Sequence, residues 1–488
     1  MPCSRYGYNG PHLTGSVAEF HEVGIGKEDM VEKKKFGMVS LGCPKNLVDS
    51  EVMMGTLARH GYDLTTDPNA AEVMVVNTCG FIDSARQESV DTILEMAGLK
   101  QTGKLKRLVV AGCLVERYRD ELRSEIPEID ACIGVNQLSD VLTVASAIGS
   151  APLPVYSEGA AMPELYLYDE TTPRLRATAP HTAYVKIAEG CDHTCAFCII
   201  PKLRGIFRSR SPESVLREVE MLAAQGVKEI VLISQDTTSY GVDLNLKDGL
   251  ARLVERIAAI GGIQWVRFLY CYPTAVTDGL LDVVAGHENV CSYFDVPLQH
   301  CSKNVLAGMR RGGNRRQYES LVDRIRSRVP GAAVRTTFIV GFPGEREEDF
   351  GELLAFVKNM EFDRVGVFKY SDEENSAAFA LAGKVDKKTA QARERRLMKE
   401  QARISHRKNK ALVGQSFKVL IEGRSKQTDL LLEGRMESQA PEIDGTVLIN
   451  DVPEGFDLRA DPFATVQITQ AHQYDLIGQI LPAQLSLA

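Results

Sequence analysis

The stretch Glu189-Gly190-Cys191-Asp192-His193-Thr194-Cys195-Ala196-Phe197-Cys198 constrains the fold most, because it sets three cysteines at C-x-x-x-C-x-x-C spacing on one loop directly after a predicted strand. Three thiolates so close together can hold three corners of an iron–sulfur cube, leaving the fourth iron without a protein ligand. A structural zinc site wants four protein ligands. No cysteine or acid-rich metal loop follows within reach to supply the fourth. A disulfide fits worse, since three cysteines cannot pair among themselves.

The rest of the chain is read around that loop. Residues 1–35 are Gly-rich and polar without a periodic apolar face, and are expected to form a flexible extension. From Lys35 onward, predicted strands at 36–41, 73–77, 107–111 and 129–135 alternate with predicted helices at 46–60, 84–99, 115–126 and 137–148. Such alternation implies an open parallel α/β sheet with right-handed crossovers over residues 36–150. Open sheets bind ligands beyond the carboxyl ends of their strands. Cys43, Cys79 and Cys113 each follow one of the first three strands, in Leu41-Gly42-Cys43-Pro44, Asn77-Thr78-Cys79-Gly80 and Ala111-Gly112-Cys113. Three thiols distant in sequence are thus expected at one sheet edge, as a second three-cysteine cluster instead of three unrelated buried thiols. Cys132 falls inside its strand and is read as core.

A Pro-containing segment, 151–180, is expected to link this domain to the next. Six further strands, at 184–188, 229–234, 265–270, 293–296, 334–340 and 364–370, alternate with long amphipathic helices such as 213–225 and 249–260. Six parallel units over 181–385 suggest a partial (βα)6 barrel whose site again lies at the carboxyl ends of the strands. Polar clusters fall there: Gln235-Asp236-Thr237, Tyr270-Cys271-Tyr272-Pro273, Gln299-His300 and Gly341-Phe342-Pro343-Gly344-Glu345. From these, Gln235 and Gly341 are taken as candidate cofactor-binding residues, with ordinary turn chemistry as the alternative for each cluster. Cys271, Cys291 and Cys301 have no ligand-like spacing and read as buried thiols, and His300 as a hydrogen-bonded pocket residue.

Residues 386–410 form a basic connecting helix carrying Arg393, Arg395, Arg396, Lys399, Arg403, Arg407, Lys408 and Lys410. It is read as solvated, with a phosphate-facing surface as the alternative. Over 411–488 the period changes to two, with strands at 417–422, 428–434, 446–450, 464–469 and 475–480, which suggests a small β-barrel. Such barrels often bind RNA, but here five basic residues face eleven acids, a net charge of -6. That balance repels a polyanion and attracts a basic protein. The whole chain, at -8, is likewise no uniform nucleic-acid footprint. There is neither an apolar run of about 18 residues nor a basic start followed by an apolar core, so no membrane span or secretion signal is expected. Eleven cysteines in such a chain read as metal ligands or reduced thiols of the cytoplasm.

The loop Cys191-x-x-x-Cys195-x-x-Cys198 resembles that of radical S-adenosylmethionine enzymes, in which the open iron chelates the cofactor's amino and carboxylate groups. Phe197, just before the last cysteine, matches the position whose side chain packs near the adenine. Across residues 36–480 the chain is similar to the methylthiotransferase family: an N-terminal domain with an auxiliary cluster, a radical S-adenosylmethionine domain and a C-terminal TRAM barrel. The tRNA-modifying (MiaB-like) branch usually shows a Gly-Cys-Gln-Met-Asn type motif at the first cysteine. Here Gly42-Cys43-Pro44-Lys45-Asn46-Leu47-Val48-Asp49-Ser50-Glu51, Asn77-Thr78-Cys79-Gly80-Phe81-Ile82 and Asp295-Val296-Pro297-Leu298-Gln299-His300 are similar to the branch that acts on ribosomal protein S-twelve.

The resemblance implies a methylthio group placed on the β-carbon of an aspartate of that protein, free or in the small ribosomal subunit, and argues against tRNA. It implies two [4Fe-4S] clusters, on Cys191, Cys195 and Cys198 and on Cys43, Cys79 and Cys113. It also implies S-adenosyl-L-methionine and an electron donor such as flavodoxin or ferredoxin. No catalytic residue beyond the cluster ligands is expected.

Overall fold

The structure, a computed structural model, describes residues 33–146, 166–426, 428–458 and 461–482. Almost all of the expected N-terminal extension, and 151–165 of the expected linker, lie outside the described residues. The chain divides into two compact units, one running to Ala177 and taking in Ile200–Gly205, the other made of Thr178–Ile199 and the chain from Ile206 onward.

In the first unit the elements are β1 (Lys35–Ser40), α1 (Pro44–Arg59), β2 (Asp63–Leu64), β3 (Val73–Thr78), α2 (Asp83–Thr102), β4 (Arg107–Gly112), α3 (Cys113–Glu125), β5 (Ala131–Ile133) and α4 (Val141–Ser146). The strands form one parallel sheet in the order β2-β1-β3-β4-β5. β3 reads Val-Met-Val-Val-Asn-Thr and is buried throughout, the near-continuous apolar run of a strand covered on both faces. Its residues alternate between two cores: Val75 joins Met53 and Leu57 of α1 and Val141 of α4, while Met74 and Val76 join Ile93 of α2 and Leu122 of α3.

Three expectations change here. β2 has two exposed residues and lies at the sheet edge, too short to leave a periodic signal. The expected helix at 137–148 is a 3-10 turn, Leu138–Asp140, followed by the short α4. The second half of the expected linker is strapped onto α1. Glu51 is fully buried and takes Arg174 Nη2 at 2.6 Å and the Ala177 N–H at 2.7 Å. A Cβ on Gly55 would come within 2.5 Å of the Pro173 carbonyl carbon, so glycine is needed for the strap to lie that close. Glu51→Ala leaves the Arg174 guanidinium buried without its carboxylate and is expected to cost about 3 kcal/mol, read as a lower urea midpoint.

The second unit begins with β6 (Thr182–Lys186) and β7 (Ala188–Glu189), after which α5 (Ile200–Arg204) belongs to the first unit. It resumes with β8 (Arg208–Ser209), α6 (Pro212–Ala224), β9 (Glu229–Ile233), α7 (Gly249–Ala258), β10 (Trp265–Phe268), α8 (Asp278–Gly286) and β11 (Tyr293–Asp295). There follow α9 (Lys303–Gly308), α10 (Arg315–Arg328), β12 (Ala333–Val340), α11 (Glu347–Met360), β13 (Arg364–Lys369) and α12 (Lys387–Lys410). Six parallel strands run β6-β9-β10 and β11-β12-β13, the two runs joined by a parallel bridge between Val266 and Val290. This is the partial barrel expected from the alternation, with helices covering its apolar outer side.

α12 is the basic connecting helix expected, with Arg395, Arg396, Lys399, Arg403, Arg407 and Lys410 exposed and one apolar side packed. Asp386 caps it by accepting the Thr389 N–H at 2.9 Å, and Leu397 and Ile404 enter the core of the unit. Some of its charges make ion pairs: Arg396 with Glu347 at 2.7 Å, Arg407 with Glu361 at 2.6 Å and Lys408 with Asp363 at 2.6 Å. Arg393 is buried over the Phe350 ring. The helix lies against β13 and α11.

The last strands, β14 (Ser416–Ser425), β15 (Thr428–Met436), β16 (Val447–Asp451), β17 (Phe463–Ala471) and β18 (Leu476–Ile480), close a barrel in the order β14-β15-β16-β18-β17. All pairs are antiparallel except β16 with β18. Arg435 of β15 reaches Glu229 at 2.5 Å, and Arg267 reaches the same carboxylate at 3.0 Å. All three side chains are 1% exposed or less. Glu229 opens β9, so the barrel is fixed to the amino ends of the strands, opposite the ends that carry the cysteine loop. No helix among the described residues is long and apolar enough to cross a membrane.

Candidate active site

The loop of the second unit is built from the backbone outward. β7 pairs antiparallel with β8, Glu189 opposite Arg208. Gly190 then turns the chain at φ +83°, a conformation that favours glycine. Beyond it the Ala196 N–H donates to Met309 O at 2.8 Å, the Ala378 N–H to Ala196 O at 2.7 Å, and the Cys198 N–H to Cys195 O at 3.0 Å. Asp192 accepts the Phe207 N–H at 2.9 Å. Cys191 is buried, while Cys195 and Cys198 are half-buried. Burial pushes the Cys191 thiol up to about 11, aided by Asp236 and Cys195 and opposed by the His193 N–H. Such a thiol would release its proton to solvent at neutral pH on binding a metal ion.

Behind the loop runs a stack of side chains. Asp236 Oδ2 lies 2.6 Å from His193 Nε2. Burial alone would raise this carboxyl, but hydrogen bonds from His193, Ser239 and Thr238 hold it below the usual range, so it accepts the Nε2 proton. The His193 ring stacks on Tyr272, centroids 3.8 Å apart and planes 11° apart. Arg311 covers Tyr272, 4.6 Å from its centroid, and donates to Cys195 Sγ at 3.5 Å and to the Pro297 carbonyl. A fixed positive charge thus sits on one thiol of the loop. Asp236→Asn would loosen the ring and is expected to lower iron retention at this loop about 10-fold, the scale at which partners of metal ligands act. Iron analysis of protein reconstituted at limiting iron checks it.

The strand ends around the loop carry buried polar atoms without protein partners. Gln235 donates Nε2 to Glu189 Oε1, but its own Oε1 is buried and unmatched among the described residues. The same holds for Gln299 Oε1, on a residue at φ +68°, and for all three nitrogens of Arg208. Burial lowers the Arg208 pKa against the pull of Glu189. An unmatched buried polar group costs about 1–3 kcal/mol. S-adenosylmethionine offers an ammonium to lone carbonyl oxygens and a carboxylate and hydroxyls to a guanidinium, so this donor set fits the cofactor. Phe197 is half-buried against Ala196, Val305, Met309, Phe342 and Ala378. Gly341, at φ +78°, gives its N–H to Glu345, and a Cβ on it would lie 2.6 Å from Ala390 of α12. Its smallness thus also serves packing against the helix. His300 is wholly buried, accepts the Ser302 N–H at 3.0 Å and lies 3.8 Å from Glu345. Tyr272 belongs to a strand-end cluster marked in the sequence, whereas Arg208 and Arg311 carried no signal that set them apart from surface arginines.

In the first unit Cys43 caps α1, Cys79 follows β3 and Cys113 opens α3. Two of the three thiols therefore lie at helix N-termini, where the backbone favours a thiolate. The three lie close enough that Cys79 feels the charges of Cys113 and Cys43, and burial pushes its thiol up to about 12. Asn46 ties the loops together, donating to Leu41 O at 3.0 Å and Thr78 O at 2.8 Å. Asn77 in turn donates to Asn46 O at 2.8 Å and Ser50 Oγ at 2.9 Å. A Cβ on Gly80 would stand 2.9 Å from the Cys113 backbone, which explains the glycine after Cys79. Cys132, Cys271, Cys291 and Cys301 are buried in cores. Among the described residues no three acidic, histidine or cysteine side chains converge tightly enough for a single metal ion. A cube of four irons spreads its cysteine ligands over different irons and asks for a wider set.

Comparison with known proteins agrees with this division. Residues 35–134 match the uncharacterized protein family UPF0004, residues 185–357 the radical SAM superfamily, and residues 413–481 the TRAM domain. The radical SAM match implies S-adenosylmethionine and a [4Fe-4S] cluster as cofactors of the second unit. Among solved structures, the radical S-adenosylmethionine methyltransferase TsrM of Kitasatospora setae shares the fold at 15% identity and TM-score 0.51, over 69% of this chain and 73% of that one. The ribosomal protein uS12 methylthiotransferase RimO of Solibacter usitatus is 55% identical, over 92% of this chain and 95% of that protein. The proteins of the same name from Koribacter versatilis and Geobacter sulfurreducens are 51% and 45% identical, again over 92% of this chain, and over 96% and 99% of their own lengths. The chain belongs to the RimO family of uS12 methylthiotransferases within the radical SAM superfamily.

Proposed function

We propose that this enzyme places a methylthio group on the β-carbon of an aspartate of ribosomal protein uS12, with one [4Fe-4S] cluster on Cys191, Cys195 and Cys198 and a second on Cys43, Cys79 and Cys113. The second thiol triad carries the reading, because sulfur insertion needs a sulfur-bearing site that S-adenosylmethionine cleavage alone does not. When bound, the cofactor and the two clusters supply the radical and the sulfur that an unactivated C–H bond beside a carboxylate requires and that side-chain acids and bases cannot provide.

The chain's own residues hold and orient. Arg208 and the amide oxygens of Gln235 and Gln299 meet the polar ends of S-adenosylmethionine, and Phe197 covers its apolar side. Arg311 keeps a positive charge on Cys195. The substrate class is supported by the barrel, whose five basic residues face eleven acids. Such a balance suits a basic ribosomal protein over tRNA. Electrons would come from a flavodoxin or ferredoxin, in the cytoplasm.

The test is anaerobic reconstitution with iron and sulfide. The protein is then incubated with reductant, S-adenosylmethionine and either uS12, small ribosomal subunits or tRNA, and each is analysed by mass spectrometry. A gain of one methylthio group on a uS12 aspartate is expected, from free protein or subunit. The same gain on tRNA alone would overturn the substrate assignment.

A further inference from the structure

We infer that Arg204 is a positioning residue for the second thiol site, holding a buried positive charge beside Cys113 that stabilises the anionic, reduced state of the cluster bound there. The inference rests on the two-cluster reading and adds a residue that neither the motif nor the family likeness assigns.

Arg204 closes α5, only six residues after Cys198, yet the segment Ile200–Gly205 groups with the sheet unit and not with the strands that flank it in sequence. The sequence thus passes from the last cysteine of one triad directly to a residue of the other. The Arg204 side chain is 2% exposed. Its Nη2 donates to Asn46 Oδ1 at 2.5 Å and to Asp49 Oδ2 at 3.1 Å. Asn46 Oδ1 is also the acceptor nearest Cys113 Sγ, at 3.9 Å. Arg204 and the Cys113 thiol thus meet on the same Asn46 oxygen, which places the guanidinium beside that thiol.

A surface arginine would be a weak influence, screened by water. This one is buried, where charges act over short distances with little screening. A five-residue helix has little reason of its own to bury a guanidinium. Ion pairing with Asp49 compensates the desolvation but does not require a neighbouring thiol. Three thiolates on a [4Fe-4S] core do, because each added electron increases a negative charge that the helix N-termini at Cys43 and Cys113 offset only in part. Hydrogen bonds to the sulfurs and local charge are what set such potentials. The two charged partners therefore act in opposite senses: Arg204 raises the reduction potential of the cluster and Asp49 lowers it.

The test uses the full chain with Cys191, Cys195 and Cys198 all changed to alanine, reconstituted with iron and sulfide, so that only the second site can carry a cluster. The reduction potential is followed by electron paramagnetic resonance during a dithionite titration. In that background Arg204→Gln is expected to lower the reduction equilibrium constant at least 10-fold, about 59 mV for one electron. Arg204→Lys recovers part of the shift. Asp49→Asn moves the potential the opposite way. A merely structural role would move both variants in one direction, or change iron content without changing the potential of the cluster that remains. Either result, or no shift in Arg204→Gln, overturns the inference. If the triple-cysteine background binds no iron at all, the two-cluster reading fails first, and the outcomes are distinct.

Discussion

Alanine at Cys191 is expected to reduce 5′-deoxyadenosine release to background, whereas alanine at Cys79 leaves that release intact and abolishes the methylthio gain on uS12. The contrast follows from where the two thiols are built in. Cys191 lies on a loop fixed by backbone bonds to Met309 and Ala378, in a unit whose core is made of its own strands and helices. Cys79 lies at the end of β3, between two cores that belong to the other unit. Removing one thiol from such a loop costs roughly 1 kcal/mol as a lost small apolar contact, so neither variant should unfold. Each should instead lose about half of the iron bound after reconstitution, since a cluster short of one cysteine ligand is poorly held. Iron content, 5′-deoxyadenosine by chromatography and substrate mass together make the two losses separable. Thiomethylated uS12 from the Cys79→Ala enzyme would sink the two-cluster mechanism, and continued cofactor cleavage by Cys191→Ala would remove the loop from the radical chemistry.

What the sequence made legible was what is local. Cysteine spacing in one loop, a cysteine after each of three strands, period-two strands in the barrel and alternating strands and helices elsewhere all leave a signature within a few residues. The barrel closes with each strand within a few residues of its expected place. The misses share a physical cause. Glu51 with Arg174, Arg435 with Glu229, and Arg204 with Asp49 are buried pairs between residues about 120 to 210 positions apart. A buried arginine reads in sequence like a solvated one, and only the fold says which carboxylate it will meet.

Glu229→Gln should loosen the barrel from the strands beneath it, and Trp265 should report it. Glu229 is wholly buried between Arg435 of the barrel and Arg267 of β10, and also accepts from Thr182 Oγ1 at 3.1 Å. Removing its charge leaves two guanidinium groups buried with half their compensation, which costs about 3–5 kcal/mol. Burial by itself would raise the Glu229 carboxyl, but the two arginines overcome it and hold the pKa at about 2, against 4.5 for the ordinary group. A carboxyl depressed on folding contributes stability that is complete above the unfolded value and is lost as pH falls through the folded one. The wild-type protein should therefore lose about 3 kcal/mol from this group as pH falls from about 4.5 to about 2, at ~1.4 kcal/mol per unit. The chain has a single tryptophan, Trp265, whose ring meets Phe463 of β17 edge-on at 4.9 Å. Separation of the barrel exposes that ring to water. A red shift of its emission is thus expected in the wild type only on acidification, and in Glu229→Gln already at neutral pH, together with a lower urea midpoint. If the variant at neutral pH keeps both the emission and the midpoint of the wild type, the buried triad does not hold the barrel in place. The contact of Trp265 with Phe463 and the hydrogen bond of Tyr293 to Asp444 must then do so.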